Sequence, residues 1–115
     1  MITVYGIPNC DTIKKTLNWL KENKISYVFH DYKKSAITKT KLEQWSKKVG
    51  WEVLVNKKGT TWRKLPKEEQ EKITNQATVI KLMMENNSLI KRPVVEAGEK
   101  LLIGFNETDF IKQLK

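Results

Sequence analysis

Residues 2–15 read ITVYGIPNCDTIKK, and this stretch joins a strand, a turn and the start of a helix without a break. Its first four residues are β-branched or aromatic, as is typical of a strand. The next four, Gly6-Ile7-Pro8-Asn9, have the composition of a turn. Cys10, the sole cysteine of the chain, lies at the boundary between this turn and the predicted helix. This order predicts the opening unit of an α/β domain.

The rest of the chain continues with helices and strands. The opening strand–helix–strand unit implies parallel pairing through a right-handed crossover, and a late hairpin adds an antiparallel pair. The predicted fold class is therefore α/β with a mixed sheet, and a helical segment over approximately residues 38–86 separates the second and third strands. In chain order, the predicted elements after the first strand are a helix over about 11–23, a strand over 26–30, a helix between Thr38 and Gly50, a short helix starting near Leu65, a helix ending at Asn86, strands over 93–96 and 101–104, and a helix over 108–114.

Length and hydropathy favour a single domain over residues 1–115. No apolar run approaches the roughly 20 residues needed to cross a bilayer. The N-terminus leads directly into a strand pattern, with no basic segment, apolar stretch and cleavage site of a secretory signal. A single thiol cannot form an internal disulfide and fits a reducing compartment. We therefore expect a cytoplasmic monomer without membrane contact.

The formal net charge is +9, and lysine supplies most of it. Two interpretations stay open: a solvated basic surface, which we favour, and a nucleic-acid-binding surface. The second is disfavoured because the chain has no zinc-finger spacing, no aromatic RNA-binding motif and no basic block longer than two or three residues. Attraction to anionic small molecules or to an acidic partner is compatible with both.

Cys10 is the candidate nucleophile. The first turn of a helix has backbone N–H groups without partners inside the helix, and these groups and the helix dipole favour a thiolate. The competing interpretation is a small buried hydrophobe, and the position of Cys10 favours the first. Thr12 would donate a hydrogen bond to the thiolate or merely cap the first turn, and Asn9 would hold the loop or serve as the N-cap. His30, the only histidine, cannot form a metal site with one distant cysteine.

Arg92 immediately precedes Pro93 at the start of a predicted strand. If that strand lies beside the first one, Arg92 arrives next to the Cys10 loop. A guanidinium there would favour the thiolate and could bind an anionic substrate through two parallel hydrogen bonds. The alternative is an ordinary surface or salt-bridge arginine, and the residues alone leave both interpretations open.

These motifs together resemble one known family. Residues 5–15, YGIPNCDTIKK, resemble the active-site loop of the arsenate reductase (ArsC-type) family, in particular its YffB-like branch, which is related to the Spx regulators. Residues 56–63, 90–94 and 101–105 match further motifs of that family. The resemblance covers essentially the whole chain, in the same order and spacing.

The resemblance implies a thioredoxin-like fold with a helical insertion between the second and third strands of a mixed four-stranded sheet. It implies that Cys10 is the nucleophile and that Arg92 and Arg63 flank it, where they bind an oxyanion or polarise the thiol. The peptide bond before Pro93 is expected to be cis. In relatives that use glutathione, the backbone beside that proline holds an extended thiol. We accordingly assign Asn9, Thr12, Arg92 and Pro93 to the binding of a glutathione co-substrate, with no permanently bound cofactor and no metal.

Two departures from the family pattern narrow the function. ArsC-type arsenate reductases carry a further arginine in the late hairpin, whereas Leu101–Phe105 contains no cation, which weakens the arsenate interpretation. Ile13 excludes a Cys-x-x-Cys pair, so an external thiol such as glutathione, or a glutaredoxin-type reductant, must resolve any intermediate on Cys10. We therefore predict a single-cysteine thiol oxidoreductase that acts on an anionic or disulfide substrate. The alternative is a non-enzymatic Spx-like regulator or binding module that contacts RNA polymerase.

Overall fold

The structure is a computed structural model, which describes residues 2–8 and 10–114. Every strand and helix predicted from the sequence is present, with ends shifted by a few residues at most. The short helices Trp51–Leu54 and Thr60–Lys64 were not predicted. The elements are β1 (Ile2–Gly6), α1 (Asp11–Glu22), β2 (Tyr27–Asp31), α2 (Lys39–Val49), α3 (Trp51–Leu54), α4 (Thr60–Lys64), α5 (Lys67–Glu71), α6 (Gln76–Glu85), a 3-10 turn (Asn87–Leu89), β3 (Val94–Ala97), β4 (Lys100–Ile103) and α7 (Glu107–Leu114).

The chain divides into two compact units. The first combines Met1–Ser35 with Arg92–Lys115, and the second is Ala36–Lys91. The first unit contains all four named strands with α1 and α7, and the second contains α2 to α6. None of the helices in the described part of the chain is both long and apolar enough to cross a membrane.

The sheet of the first unit has the strand order β2-β1-β3-β4. Strand β1 pairs parallel with β2, whereas the β1–β3 and β3–β4 pairs are antiparallel. The register places Tyr5 opposite His30 on one side and opposite Val94 on the other. The predicted mixed four-stranded sheet is therefore confirmed.

One face of this sheet is covered by apolar helix residues. Val4 and Val95 are directly paired on adjacent strands and are fully buried. They belong to a core cluster with Trp19 and Leu20 of α1 and Phe110 of α7. Since alternate residues of a strand point to opposite faces, Tyr5 and its neighbours lie on the other side of the sheet.

The second unit is helical, and its caps follow from side-chain chemistry. The Thr38 hydroxyl accepts a hydrogen bond of 3.1 Å from the Lys41 N–H and so begins α2. Gly50 follows that helix with a φ of 89°, in the region that favours glycine. Asn75 and Thr78 form a reciprocal capping box at the start of α6. Thr38 and Gly50 thus bound α2 as the sequence predicts.

Candidate functional site

Cys10 is the N-cap residue of α1. Its backbone is extended, with φ −119° and ψ 129°, and its carbonyl accepts the first helical hydrogen bond from the Lys14 N–H at 3.0 Å. Its side chain makes no capping hydrogen bond, so the thiol does not occupy the first-turn N–H groups. The residue is a half-buried free cysteine. Cys10 is thus a partly exposed residue at the positive end of the α1 dipole.

The residues that flank Cys10 differ in what the structure shows. Asn9, assigned to the binding site from the sequence, lies outside the described residues. Thr12 is half-buried in the first turn of α1, and its carbonyl accepts a hydrogen bond of 2.8 Å from the Thr16 hydroxyl. That bond fixes the backbone of the turn and leaves the role of the Thr12 hydroxyl as a prediction.

Arg92 is half-buried and lies directly before β3. The peptide bond between Arg92 and Pro93 is cis, as the family resemblance implies. Because β1 and β3 are antiparallel and Tyr5 pairs with Val94, the end of β1 and the start of β3 lie at the same end of the sheet. Cys10 follows β1 at that end of the sheet, and Arg92 precedes β3 at the same end. The fold therefore brings these two segments to one end of the sheet.

The end of the β3–β4 hairpin forms a backbone hydrogen bond with Pro93 at this end of the sheet. The Gly104 N–H donates a hydrogen bond of 2.8 Å to the carbonyl of buried Pro93. Gly104 has a φ of 80°, which its missing side chain permits. The Pro93 carbonyl is thus already paired within the first unit.

The late hairpin supplies no cation near Arg92. Lys100 is the basic residue of β4, but it pairs with Ala97 at the far end of the hairpin, whereas Ile103 pairs with Val94 beside Arg92. The Lys100 amine donates to the Gln113 carbonyl of α7 at 3.1 Å. The hairpin cation expected in an arsenate reductase has no replacement on β4.

Arg63 belongs to the second unit and is exposed on α4. Nearby in the chain, the Lys57 amine lies 5.6 Å from the ring centre of Trp51 and 5.3 Å from that of Trp62. The first-unit site is therefore built from the Cys10 and Arg92 segments, and the expected role of Arg63 stays a prediction.

A polar cluster on the sheet face opposite the apolar core was not predicted. The Tyr5 hydroxyl donates a 2.5 Å hydrogen bond to the Glu96 carboxylate, which lies on the same face of β3. The Tyr5 ring centre is 4.9 Å from that of His30 and 6.4 Å from that of Tyr32. His30 bonds the Ser35 carbonyl at 2.8 Å through Nε2, which must be protonated to donate. His30 therefore has a packing and turn-fixing role.

Burial and charge keep both tyrosines of this cluster protonated. Burial raises the pKa of Tyr5, and the hydrogen bond and charge of Glu96 raise it further. Burial also raises the pKa of Tyr32, and electrostatic interactions with Tyr5 and Glu96 raise it further. The Arg92 guanidinium acts in the opposite direction on the Tyr32 pKa.

Comparisons with known proteins agree with this geometry. The ArsC family model matches residues 5–112. An uncharacterized protein of Haemophilus influenzae is 44% identical over 110 residues, which are 96% of this chain and 96% of that protein. The global transcriptional regulator Spx of Streptococcus agalactiae is 28% identical over 111 residues, which are 95% of this chain and 80% of that protein.

Solved structures extend the comparison to the fold. A protein named YFFB has a TM-score of 0.95 and 40% identity, and the match covers 100% of both chains. The thioredoxin-like fold with a helical insertion, which the sequence resemblance implied, is confirmed by this similarity and by the observed sheet. This chain belongs to the ArsC family.

Proposed function

We propose that the protein is a cytoplasmic single-cysteine thiol oxidoreductase with Cys10 as nucleophile and glutathione as co-substrate. The observation that carries this proposal is the half-buried Cys10 thiol at the N-cap of α1, at the end of the sheet where β3 begins. A thiolate is the attacking form of cysteine, and the positive end of a helix favours it. Membership of the ArsC family supports thiol chemistry at this position.

The reaction at Cys10 takes place in two exchanges. The Cys10 thiolate attacks one sulfur of a disulfide, the S–S bond breaks, and the other sulfur leaves as a thiolate that takes up a proton. A glutathione thiolate then attacks the mixed disulfide on Cys10, forms a new disulfide and releases the Cys10 thiolate. In these two exchanges one half of the substrate leaves as a free thiol and the other half ends in a mixed disulfide with glutathione. A second glutathione thiolate then attacks the glutathione sulfur of that mixed disulfide, releases the other half as a thiol and forms glutathione disulfide, so that the substrate gains two electrons and the two glutathione thiols lose two. Since Ile13 takes the second position of a Cys-x-x-Cys pair, the second thiol comes from outside the chain.

The charged and polar residues of the site have distinct proposed roles. Arg92 binds the anionic group of the substrate and favours the thiolate, because a guanidinium provides two parallel donors to a carboxylate or oxyanion. Arg63 supplies a second cation in the same reaction. Thr12 and Asn9 hold the Cys10 loop and its substrate, and the backbone near Pro93 holds an extended thiol. Because the Pro93 carbonyl is paired with Gly104, that substrate uses other peptide groups of this segment.

An intact mass measurement tests the proposal. The folded protein incubated with oxidised glutathione should gain one glutathionyl group and no more, and Cys10→Ser should gain none. Added reduced glutathione should restore the original mass. If the folded protein stays unmodified while the denatured protein reacts, Cys10 is inaccessible and the oxidoreductase proposal fails.

A change at Arg92 tests how the substrate is held. Arg92→Ala should slow the reaction of Cys10 with an anionic disulfide more than its reaction with a neutral one, because the guanidinium acts on both the thiolate and the substrate. Exposed Lys100, whose amine is held by α7, gives the matched control Lys100→Ala. Equal slowing for both disulfides would mean that Arg92 does not bind the substrate.

Arsenate is a poor candidate substrate. The stretch Leu101–Phe105 contains no cation, and Lys100 lies at the other end of the hairpin. The loss of one charge-assisted hydrogen bond costs roughly 1.5–3 kcal/mol, or about ten- to a hundredfold in binding. We expect little or no arsenate reduction with glutathione and glutaredoxin supplied, and robust turnover would contradict this assignment.

A second candidate function is that of a regulator or binding module. It is favoured by the similarity to the global transcriptional regulator Spx over 95% of this chain and by the net charge of +9, which suits an acidic partner. RNA polymerase is the proposed partner. Direct binding to purified RNA polymerase that is unchanged in Cys10→Ser would support this function, and absence of binding would contradict it.

A further inference from the structure

Helix α4, which carries Arg63, is too short to be stable by itself. It has five residues, no side-chain cap at Gly59 and no buried residue. Isolated helices shorter than about 12 residues are marginal in water, because a few hydrogen bonds do not offset the ordering of the backbone. The orientation of Arg63 therefore depends on the contacts that α4 makes with the rest of the second unit.

Lys57 links α4 to α3 through two tryptophan rings. Its ammonium lies over both rings, 5.6 Å from the ring centre of Trp51 in α3 and 5.3 Å from that of Trp62 in α4. The face of an aromatic ring attracts a cation within roughly 6 Å. Because Trp62 directly precedes Arg63, this contact acts on the turn of α4 that carries the arginine.

Backbone pairing fixes the segment that leads to Lys57. Two backbone hydrogen bonds, of 2.7 and 2.8 Å, join residues 54–56 to residues 89–91. Between them, Val55 and Ile90 form an antiparallel bridge, and both side chains are buried. Lys57 follows this bridge by two residues, so its ammonium reaches α4 from a fixed backbone.

A second side chain, that of Gln70 in α5, holds the end of α4. Its Nε2 donates hydrogen bonds of 2.8 Å to the Trp62 carbonyl and of 3.3 Å to the Leu65 carbonyl. The last carbonyls of a helix have no partner in the next turn, so a side-chain donor there stabilises the helix end. Lys57 and Gln70 thus hold the ring and the carbonyl of the same residue, Trp62.

We propose that Lys57 and Gln70 are positioning residues, which hold α4 through Trp62 and so keep the Arg63 guanidinium in one orientation for an anionic substrate. The inference rests on the proposed role of Arg63 as the second cation of the reaction. It assigns to Lys57 an effect on the reaction that passes through Arg63, not a contact of its own with the substrate.

Hydrogen exchange of the Arg63 and Leu65 amides, followed by NMR in the reduced protein, measures how firmly α4 is held. These N–H groups donate to the Gly59 and Trp62 carbonyls at 3.3 and 3.1 Å. Lys57→Met removes the charge and keeps an unbranched side chain. Both amides should then exchange about two- to fivefold faster, because a cation over an exposed ring is lost.

Three further variants show whether the effect is specific. Gln70→Ala should also accelerate both amides, whereas Lys57→Arg, which keeps a cation over the rings, should leave them near the wild-type rate. Exposed Lys58 gives the matched control Lys58→Met, which removes the same charge from the next residue and should change neither rate. The Val79 amide at the start of α6 should keep its rate in every variant, since the change is local. Equal acceleration by Lys57→Met and Lys58→Met, or wild-type α4 amides without protection, would overturn the proposal.

The rate at which Cys10 reacts with disulfides tests whether the effect passes through Arg63. Lys57→Met should slow the reaction with glutathione disulfide by the ratio in which the folded fraction of α4 falls, and more than the reaction with neutral bis(2-hydroxyethyl) disulfide. In the Arg63→Met protein the same change at Lys57 should have no further effect. Additive slowing would mean that Lys57 acts by its own charge, and it would overturn the inference.

The exchange rates need no reaction at Cys10. An Arg63→Met variant that reacts like wild type would overturn the inference together with the proposed role of Arg63. If instead Cys10 itself does not react with disulfides, the proposed function fails, and the exchange rates still decide whether Lys57 and Gln70 position α4.

Discussion

The two faces of the sheet in the first unit differ in chemistry although their residues alternate along the same strands. Val4 and Val95 face the apolar core with Trp19 and Phe110, whereas the next residues, Tyr5 and Glu96, face the polar cluster. Large apolar side chains such as Phe110 are fully buried on the first face. The second face carries the half-buried Glu96 carboxylate and the buried side chains of Tyr5 and Tyr32. Adjacent residues of one strand thus belong to the apolar face and to the polar face of the sheet.

The largest loss of stability is expected for a substitution on the apolar face of the sheet. Phe110 is fully buried, and its ring centre is 5.4 Å from that of Trp19 and 5.1 Å from that of Phe105. Phe110→Ala should lower the free energy of unfolding by about 3–5 kcal/mol, because it removes buried apolar surface and leaves a cavity. Urea unfolding measures the change. The neighbouring Ile111, 48% exposed, provides the control Ile111→Ala, which should stay within about 0.5 kcal/mol of wild type. Equal losses for the two variants would refute the assignment of the core.

A smaller loss of stability is expected for a substitution at Gly6, at the end of β1 that leads to Cys10. A Cβ atom on Gly6 would collide with Cδ1 of Ile13, and Ile13 is fully buried in α1. Gly6→Ala should therefore cost about 1–3 kcal/mol of unfolding free energy through overpacking. Ile13→Val removes the contacting methyl group, so the double variant should lose clearly less than the sum of the two single losses. Additive losses would show that the two side chains do not compete for this space.

The two tyrosines of the polar face should make the free energy of unfolding fall at high pH. The pKa values of Tyr5 and Tyr32 are raised in the folded state, so both phenols stay protonated there while those of the unfolded chain ionise. The stabilisation is complete below about pH 10, the unfolded value, and is lost as the pH rises through the higher folded values. Each tyrosine should contribute a decline of about 1.4 kcal/mol per pH unit above about pH 10.

Urea unfolding of wild type, Tyr5→Phe and Tyr32→Phe over this alkaline range measures the decline. Each substitution should make the loss of stability with pH less steep, and the double variant should be the least steep. The lysines of the chain titrate in all four proteins and cancel in the comparison. An unchanged slope in both single variants would contradict the burial of these hydroxyl groups.

Much of the apolar face could be predicted from the sequence. The β-branched and aromatic composition of β1 and the i, i+4, i+7 spacing of Ile13, Leu17 and Leu20 in α1 are local signals, and they predicted both elements within a few residues. Thr38 and Gly50 likewise marked the ends of α2 through cap chemistry. The cis peptide bond before Pro93 was an implication of the family resemblance, not of the local pattern.

The polar face could not be predicted, because it depends on the register between strands. Tyr5 and Glu96 are distant in the chain, and only the pairing of Tyr5 with Val94 brings them to one face. The short helices Trp51–Leu54 and Thr60–Lys64 were missed for a different reason. Segments of four or five residues are too short to show a helical period, and these two lack a proline at the start such as Pro66, which precedes the equally short α5.

The central claim is that the fold makes Cys10 a reactive nucleophile. The most direct test is the rate at which glutathione disulfide modifies Cys10 in the folded protein and in the urea-unfolded protein at the same neutral pH, measured by mass spectrometry. Glutathione disulfide is anionic, and the N-terminus of α1 and the proposed contact with Arg92 both attract an anion to Cys10, so the folded protein should react about tenfold faster or more. A folded protein that reacts more slowly than the unfolded chain would contradict the claim and leave Cys10 as a packed side chain.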